Sequence, residues 1–221
     1  MIKFNKEDHS YTDEHGNDYI SVTTLIRKYS NEFDPMGEIT RRYAFKHGMT
    51  VEQVREIWQE KANVSLVRGK AIHKVLEDYM NTGICDVEHD VIINQIKALK
   101  IAGRKSCEVM LYNEKYRLAG IADLIINGNE VYDYKTNKSF NFSNKYNQKL
   151  QAPLDHLDDC EYNKYALQLS LYGYMVGNVK KLAILWIDHD SNVEYIPVPY
   201  MKQEAEYLLQ HYNTTFNNRN L

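Results

Sequence analysis

Residues 117–135 read RLAGIADLIINGNEVYDYK, and this stretch decides the fold. Its two apolar and aromatic runs flank Asn127-Gly128, a dipeptide that favours a tight turn between antiparallel strands. The pattern predicts strands over 117–126 and 129–135, preceded by a third strand over 107–113. Three successive strands of this kind indicate the centre of a β-sheet.

Three polar residues interrupt the two apolar runs. Because residues two apart on a strand point to the same side, Asp133 and Lys135 should share one face of the sheet, and the hairpin should bring Asp123 near them. Two converging carboxylates repel each other unless a cation lies between them, and oxygen ligands suit Mg²⁺ or Mn²⁺. A lysine beside such an ion can orient or deprotonate water, or neutralise charge on a phosphate. The D-x-K pattern alone also fits a solvent-facing strand.

Helical spacing of apolar residues predicts helices on both sides of these strands. Thr23 and Thr24 lead into a short first helix. Pro35 fits the first turn of a second helix, Thr50 with Gln53 forms the capping box of a third, and Ser65 caps a fourth. The remaining elements predicted are helices around 91–102, 163–177 and 201–212, strands over 181–187 and 193–198, and a small β region over 2–21. This order predicts an α/β fold with a mixed central sheet flanked by helices, an N-terminal β-hairpin and a helical extension.

Composition indicates an ordinary folded protein. The chain has 221 residues, of which 43% are apolar and 26% charged. No apolar run approaches the roughly 18 residues of a membrane span, and the N-terminus lacks the apolar core of a secretory signal. Cys85, Cys107 and Cys160 lack zinc or iron–sulfur spacing, which favours reduced thiols in a cytoplasmic protein without membrane association.

The chain shows no internal repeat and no linker rich in proline or glycine, so we expect a single domain over 1–221. Within it we expect an N-terminal hairpin and helical extension over 1–64. The core should cover 65–200 and a last helix 201–221. One segment differs from the rest in charge, since residues 134–154 contain no Asp or Glu.

This segment carries lysines interleaved with aromatic residues. They are Lys135, Lys138, Lys145 and Lys149, with Phe140, Phe142 and Tyr146. A basic stretch with aromatics can hold phosphates and stack bases, but it can equally be a solvated loop with a few rings turned inward. The net charge of −3 argues against a basic coat over the whole surface. Both interpretations of the segment therefore stay open.

The motifs, taken in order, resemble the PD-(D/E)XK nuclease superfamily, more closely its RecB-like and bacteriophage exonuclease branches. The core of the resemblance is Gly120-Ile121-Ala122-Asp123 followed ten residues later by Asp133-Tyr134-Lys135-Thr136. Four further pieces, in the order of that branch, are Arg68-Gly69-x-x-x-His73, Glu108, Gln168-x-x-x-Tyr172 and the apolar strand Leu182–Ile187. The match covers about residues 65–190. It departs from the superfamily's name in one place, since Ala122 stands where the proline would be.

The resemblance implies a centre that binds one or two Mg²⁺ or Mn²⁺ ions. The implied metal ligands are Asp123, Asp133, Glu108, His73 and the carbonyl of Tyr134. The implied catalytic residues are Asp123, Asp133, Glu108 and Lys135, with Lys135 positioning or activating the attacking water. Relatives that hold an iron–sulfur cluster use four cysteines, so none is expected here. His73 also fits a half-buried histidine on an amphipathic helix.

Further residues are implied to contact DNA. Arg68 could bind a phosphate through its two donor nitrogens, although a surface arginine fits equally. Gln168 and Tyr172 lie one helical turn apart and would order the site or touch the DNA backbone, unless they simply pack against the sheet. Lys138, Lys145 and Lys149 complete the predicted DNA-binding set.

The resemblance implies a DNA nuclease. Most specifically, it implies an exonuclease of phage or bacterial DNA recombination, repair or replication, acting on single- or double-stranded ends in a bacterial cell or a phage-infected host. A recombination or replication protein is an expected partner. The alternatives are a structure-specific endonuclease, an inactive nuclease fold that binds nucleic acid, and a hydrolase of small phosphate compounds. End polarity and oligomeric state stay open.

Overall fold

A computed structural model describes residues 2–85 and 87–217 and has an eight-stranded mixed sheet at its centre. The strands are β1 (Lys3–Asn5), β2 (Ser10–Thr12), β3 (Asp18–Ser21), β4 (Lys105–Asn113), β5 (Leu118–Ile126), β6 (Glu130–Lys135), β7 (Lys181–Ile187) and β8 (Val193–Val198). The helices are α1 (Val22–Arg27), α2 (Glu38–His47), α3 (Val51–Thr82), α4 (Asp90–Ala98), α5 (Glu161–Val176) and α6 (Lys202–Tyr212). The predicted α/β class, with a mixed sheet flanked by helices, is confirmed. The last four residues of the predicted 201–221 section lie outside the described residues.

Strand β5 is shared by three neighbours. Along one edge it pairs with β4 in antiparallel register from residue 118 to residue 126. Its other edge is divided, because β3 pairs in parallel with Leu118 and Ala119, whereas β6 pairs in antiparallel register with residues 124–126. Within the described chain, residues 120–123 have no strand partner on that edge. We call this opening between β3 and β6 the fork.

The outer strands extend the sheet on both sides of the fork. β1, β2 and β3 form an antiparallel meander, and β3 continues directly into α1. β6 and β7 are parallel and are connected through α5, as parallel neighbours require. β8 pairs with β7 alone and carries Pro197, which suits an edge strand as predicted.

Helices cover both faces of the sheet. One core joins α1, α5 and α6 to the sheet and includes Leu25, Leu167, Leu171 and Leu208. The core on the other face joins α3 and α4 to the sheet and includes Leu76, Ile93, Tyr132 and Tyr134. None of the helices in 2–85 and 87–217 combines the length and the apolar character that a membrane span needs.

The predicted helix boundary at Ser65 is wrong. Helix α3 runs without a break for 32 residues, and Ser65 lies inside it. The residues around it are mainly good helix formers and include no proline, so a single serine does not end the helix. The capping box of Thr50 with Gln53 does begin the helix, as predicted. The preceding helix, α2, begins after Gly37 rather than at Pro35.

Helix α3 therefore belongs to two environments. Between Val54 and Ile72 it has no buried residue, whereas Ile72, Leu76 and Met80 are buried against the sheet. The first part carries α2 along its side, with the ring centroids of Tyr43 and Trp58 5.4 Å apart. The second part belongs to the core.

Replacing one leucine in each part of α3 should separate these environments. Leu76 is fully buried and Leu66 is 57% exposed. Leu76→Ala should lower the free energy of unfolding by about 2–5 kcal/mol, because it leaves a cavity in the core. Leu66→Ala, the same change on the same helix, should stay within about 0.5 kcal/mol. Urea unfolding measures both, and equal losses would contradict this division of α3.

Candidate active site

Three carboxylates lie in one row across β4, β5 and β6. The pairs Cys107 with Leu124 and Val109 with Ala122 place Glu108 opposite Asp123. The register of β5 with β6, continued by one residue beyond Leu124, places Asp133 on the other side of Asp123. Neighbouring strands are about 4.8 Å apart, so the row brings three acidic groups together at the fork.

The sheet is distorted at this row. Glu108 has a φ of 50°, a left-handed conformation that is costly for residues other than glycine. The side-chain alternation of β4 and β5 also changes there. Cys107 and Leu124 pack in the α3–α4 core, whereas Val109 and Ala122 pack in the α1–α5–α6 core. At this distortion Glu108 is exposed, whereas Asp123 and Asp133 are buried beside it.

His73 approaches the row from α3. Its Nδ1 atom lies 3.3 Å from Asp123 Oδ1, and its Nε2 atom is 3.1 Å from the Tyr134 carbonyl oxygen. Asp123 accepts a hydrogen bond from the Tyr134 main-chain N–H at 2.6 Å. The possible ligand atoms of His73, Glu108 and Asp123 all lie within 4.8 Å of one another. These three residues form a group that can hold a metal ion.

The donor set fits a divalent cation on chemical grounds. A hydrogen bond to the Tyr134 carbonyl places the imidazole hydrogen on Nε2, which leaves the Nδ1 lone pair directed towards Asp123. In the protein alone, this contact is favourable only when Nδ1 is also protonated. A cation between Nδ1 and the carboxylates would replace that proton and offset the repulsion between Glu108 and Asp123.

Asp133 is engaged differently. Its Oδ2 atom is 2.6 Å from the ammonium of Lys135, and its Oδ1 atom accepts a hydrogen bond from Gln168 Nε2 at 2.9 Å. Lys135 also donates to Gln168 Oε1 at 3.2 Å. Gln168 in turn donates to the hydroxyl of Tyr172 at 3.3 Å. Gln168 therefore fixes the carboxylate and the ammonium at the same time.

Burial decides what Gln168 and Tyr172 can touch. Their exposed fractions are 7% and 3%, so both lie beneath the surface of the site. Gly120 makes room for this arrangement, since a Cβ atom there would lie 2.7 Å from Cε1 of Tyr172. In this structure the pair orders Asp133 and Lys135, and its predicted contact with the DNA backbone stays a prediction.

Arg68 fastens α3 to the ends of two strands. It donates to the carbonyl of Thr136 at 2.8 Å and also to the carbonyl of Asp188. Gly69 allows this close approach, because a Cβ atom there would lie 3.1 Å from Thr136 Oγ1. The guanidinium is thus occupied by main-chain oxygens, and its predicted contact with a phosphate stays a prediction.

The electrostatics of the site reflect crowded negative charge. Burial, followed by the Asp123 and Glu77 carboxylates, raises the pKa of Glu108. Burial likewise raises the pKa of Asp133, against the effect of the Lys135 ammonium. For His73, burial lowers the pKa, but Asp123 and Asp133 together outweigh it and raise the pKa.

Lys135 is firmly cationic in this state. Burial lowers its pKa, but the carboxylates of Asp133 and Asp123 outweigh burial and raise it. Its ammonium lies 4.6 Å from the centroid of the Tyr165 ring, a cation–π contact. Tyr165 was not predicted from the sequence, although its place one turn before Gln168 on α5 is the signal that could have identified it. Glu77, one turn after His73 on α3, was missed in the same way.

The lysine-rich segment has some rings turned inward and others exposed to solvent. Phe140 is partly buried and packs near Tyr165 and Trp186, at ring centroid distances of 5.7 Å each. Phe142 and Tyr146 are 57% and 68% exposed. The segment is therefore anchored by one ring and presents two others to solvent.

The lysines of the segment differ in their partners. Lys149 pairs with Asp158 at 2.6 Å. Lys138 and Lys145 are exposed and have no ion pair within the described part of the chain. Lys145 lies 5.0 Å from the ring centroid of Tyr146. Only Lys138 and Lys145 therefore present unpaired charge to solvent.

Comparison with known proteins adds little. No protein-family model and no curated protein sequence matches the chain. Among solved structures, SSO0001 is 19% identical with a TM-score of 0.48, covering 96% of this chain and 82% of its own. A candidate exonuclease from Eubacterium rectale is 15% identical with a TM-score of 0.44, covering 96% of this chain and 84% of its own. At TM-scores below 0.5 neither similarity bears on function, which has to be inferred from the residues of the site.

The site predicts that a divalent ion stabilises the protein. Saturating Mn²⁺ or Mg²⁺ at about a hundred times its Kd should add about 2.7 kcal/mol, which corresponds to a rise in Tm of roughly 5–10 °C that EDTA reverses. Affinity for the ion should fall as the pH is lowered. Glu108 and His73 must lose protons to bind it, and both have raised pKa values.

Variants identify the ligands. Glu108→Gln and Asp123→Asn should each remove most of the shift in Tm. Asp78→Asn should preserve the shift, since Asp78 lies on α3 near His73 but faces solvent and, among the described residues, forms its ion pair with exposed Lys74. A full metal-dependent shift in both site variants would place the ion elsewhere.

Proposed function

We propose that this protein is a divalent-metal-dependent nuclease that hydrolyses phosphodiester bonds in DNA. The observation that carries the proposal is the row of Glu108, Asp123 and Asp133 at the fork, with His73 on one side and Lys135 on the other. A metal-binding group beside a fixed ammonium is suited to a reaction in which negative charge increases on phosphate oxygens.

The metal would be held by His73, Glu108 and Asp123, whose ligand atoms already lie together. Asp133 and the Tyr134 carbonyl border this group and complete the proposed ligand set. When bound, the ion supplies Lewis-acid activation of the phosphodiester and of water. We propose Mg²⁺ or Mn²⁺, since carboxylate oxygens predominate among the ligands.

Lys135 would act through its charge. Because its pKa is raised, it is an ammonium and not a free base in this state. Asp133 and Gln168 hold that ammonium at fixed distances, so it needs little reorganisation to stabilise a developing negative charge or to orient the attacking water. Gln168 and Tyr172 are positioning residues in this scheme.

The finer assignment is an exonuclease of phage or bacterial DNA recombination, repair or replication. It is supported by the order of the sequence motifs and not by the geometry of the site. Digestion of end-labelled linear, circular and single-stranded DNA with Mg²⁺, Mn²⁺ or EDTA tests it. Loss of linear DNA with circular DNA intact would support exonuclease action, cutting of circular DNA would indicate an endonuclease, and full cleavage in EDTA would contradict the metal-dependent mechanism.

Lys135→Ala should lower the initial cleavage rate by at least about a hundredfold, the usual scale for loss of one positioned catalytic group. The variant should keep its fold with some loss of stability, because Asp133 loses the partner of a buried ion pair, and it should still bind DNA. Circular dichroism checks the fold and a gel assay measures the rate. Lys180→Ala, an exposed lysine just before β7, is the matched control and should cleave normally. Equal rates for Lys135→Ala and wild type would remove Lys135 from the mechanism.

The lysine-rich segment should contribute to DNA binding through charge. Replacing Lys138, Lys145 and Lys149 together by Ala should weaken binding and lower the slope of log affinity against log salt. The expected loss of slope is about two counterions and not three, because Lys149 is neutralised by Asp158. Titration of labelled DNA at several salt concentrations measures it. An unchanged slope would show that the segment is only solvated surface.

A further inference from the structure

A cleft of about 650 Å³ opens between α1 with the residues that follow it and helix α5. We call it the α1–α5 cleft and define it by Arg27, Asn31, Phe33, Lys164, Tyr165 and Gln168. Its volume lies within the range of about 300–1,000 Å³ that is usual for small-ligand pockets. None of the proposed metal ligands lines this cleft.

The cleft adjoins the candidate active site directly. Gln168 and Tyr165 belong to its wall. Both also contact Lys135, through a hydrogen bond of 3.2 Å and a cation–π contact of 4.6 Å. Whatever occupies the cleft would therefore lie next to the group bound at Lys135.

The outer wall of the cleft is preformed. Asn31 donates to Asp159 Oδ2 through its main-chain N–H at 2.7 Å and its side-chain amide at 2.8 Å. The same amide donates to the Lys149 carbonyl at 2.7 Å, and Gln151 N–H donates to the Tyr29 carbonyl at 2.7 Å. These bonds fix the residues after α1, so a ligand would not have to order them.

The charges in the cleft nearly cancel. Lys164 is paired with buried Asp159 at 2.9 Å, and Glu161 accepts hydrogen bonds from Asn141 at 2.8 and 2.9 Å. Arg27 and Glu32 add one charge of each sign, and Glu161 keeps its negative charge because Asn141 is neutral. A neutral ligand with hydrogen-bonding edges suits such a lining better than a phosphate does.

Phe33 adds a flat apolar surface. Phe33 is 54% exposed, and its ring packs against the Trp58 ring at a centroid distance of 5.7 Å. An exposed, supported aromatic ring beside polar groups is how proteins stack single nucleobases. The chemistry of the cleft thus matches a planar, neutral base with donors and acceptors at its edge.

The burial of Asp123 and Asp133 also favours an unpaired base as the ligand of the cleft. Asp123 and Asp133 are only 8% and 3% exposed, so the phosphodiester must enter a recess to reach them. A base that stacks on Phe33 beside this recess cannot at the same time stay paired and stacked in a duplex, so the cleft would hold an unpaired base.

We propose that the α1–α5 cleft binds one unpaired base of the strand being cut, next to the scissile phosphate, with Phe33 as its stacking surface. The proposal rests on the nuclease function proposed above and deepens it. It assigns the enzyme to strands whose bases are unpaired at the point of cleavage, either single strands or the opened ends of duplexes.

Oligonucleotides that lack one base test this directly. A set of single-stranded oligonucleotides, each with one abasic position, is digested by the wild-type protein, and kcat/KM is measured at every bond. Each abasic position should depress cleavage only at the bond next to it, by about 5- to 150-fold, the usual contribution of stacking one base.

Phe33→Ala should lower cleavage of the intact oligonucleotide by a similar factor and cause no further loss at the bond beside the abasic position, because both changes remove the same contact. Phe45→Ala is the control, since Phe45 is 91% exposed and lies outside the cleft. It should leave the rate unchanged. Circular dichroism verifies that each variant is folded.

The possible failures are distinguishable. If the wild-type protein cleaves the oligonucleotides but abasic positions have no local effect, the cleft does not bind a base and the nuclease function stands. Additive effects of Phe33→Ala and the abasic position would also overturn the proposal. If the wild-type protein leaves every oligonucleotide intact with Mg²⁺ and Mn²⁺ but digests duplex DNA, the cleft proposal fails and the nuclease function stands. If it digests neither, both proposals fail together.

Discussion

The divided edge of β5 is the constraint on which the site depends. A strand inside a sheet normally pairs with a neighbouring strand along the whole of each edge. Its polar side chains then cannot fill a gap in the pairing. Here β3 takes the start of one edge and β6 takes its end, so residues 120–123 are left between them. Asp123 fills the opening by accepting the main-chain hydrogen bond of Tyr134 that a strand would otherwise have taken. Asp123 can therefore take part in an acidic centre because residues 120–123 lack a strand partner on this edge within the described chain.

This arrangement carries an electrostatic cost that the fold offsets only in part. Lys135 neutralises Asp133, and Gln168 satisfies both groups. Glu108, which is exposed, and Asp123, which is buried, have His73 beside them as a source of positive charge, and Lys6 and Lys135 also act on them electrostatically. A cation that binds here would reduce the repulsion between the carboxylates and so stabilise the site. Functional centres often hold such unfavourable arrangements of charge.

Much of this could be predicted from the sequence because it depends on short-range rules. The Asn-Gly turn and the period of two place Asp133 and Lys135 together, and the structure pairs them at 2.6 Å. The left-handed backbone of Glu108, by contrast, has no local signal, because it is imposed by neighbouring strands. Long-range hydrogen bonds likewise decide that Arg68 binds the Thr136 and Asp188 carbonyls. The continuity of α3 past Ser65 shows that one capping residue is a weak signal within a run of helix formers.

The length of α3 has a mechanical consequence. At 1.5 Å per residue, 32 residues extend about 48 Å, and His73 lies well inside the second half. In a continuous helix of this length, bending of the N-terminal part would displace the imidazole of His73. Arg68 lies between that part and His73, however. Its hydrogen bonds hold α3 to the ends of β6 and β7, about one and a half turns before His73. This anchor restrains bending of the N-terminal part of α3 before the bending can displace His73 from Asp123.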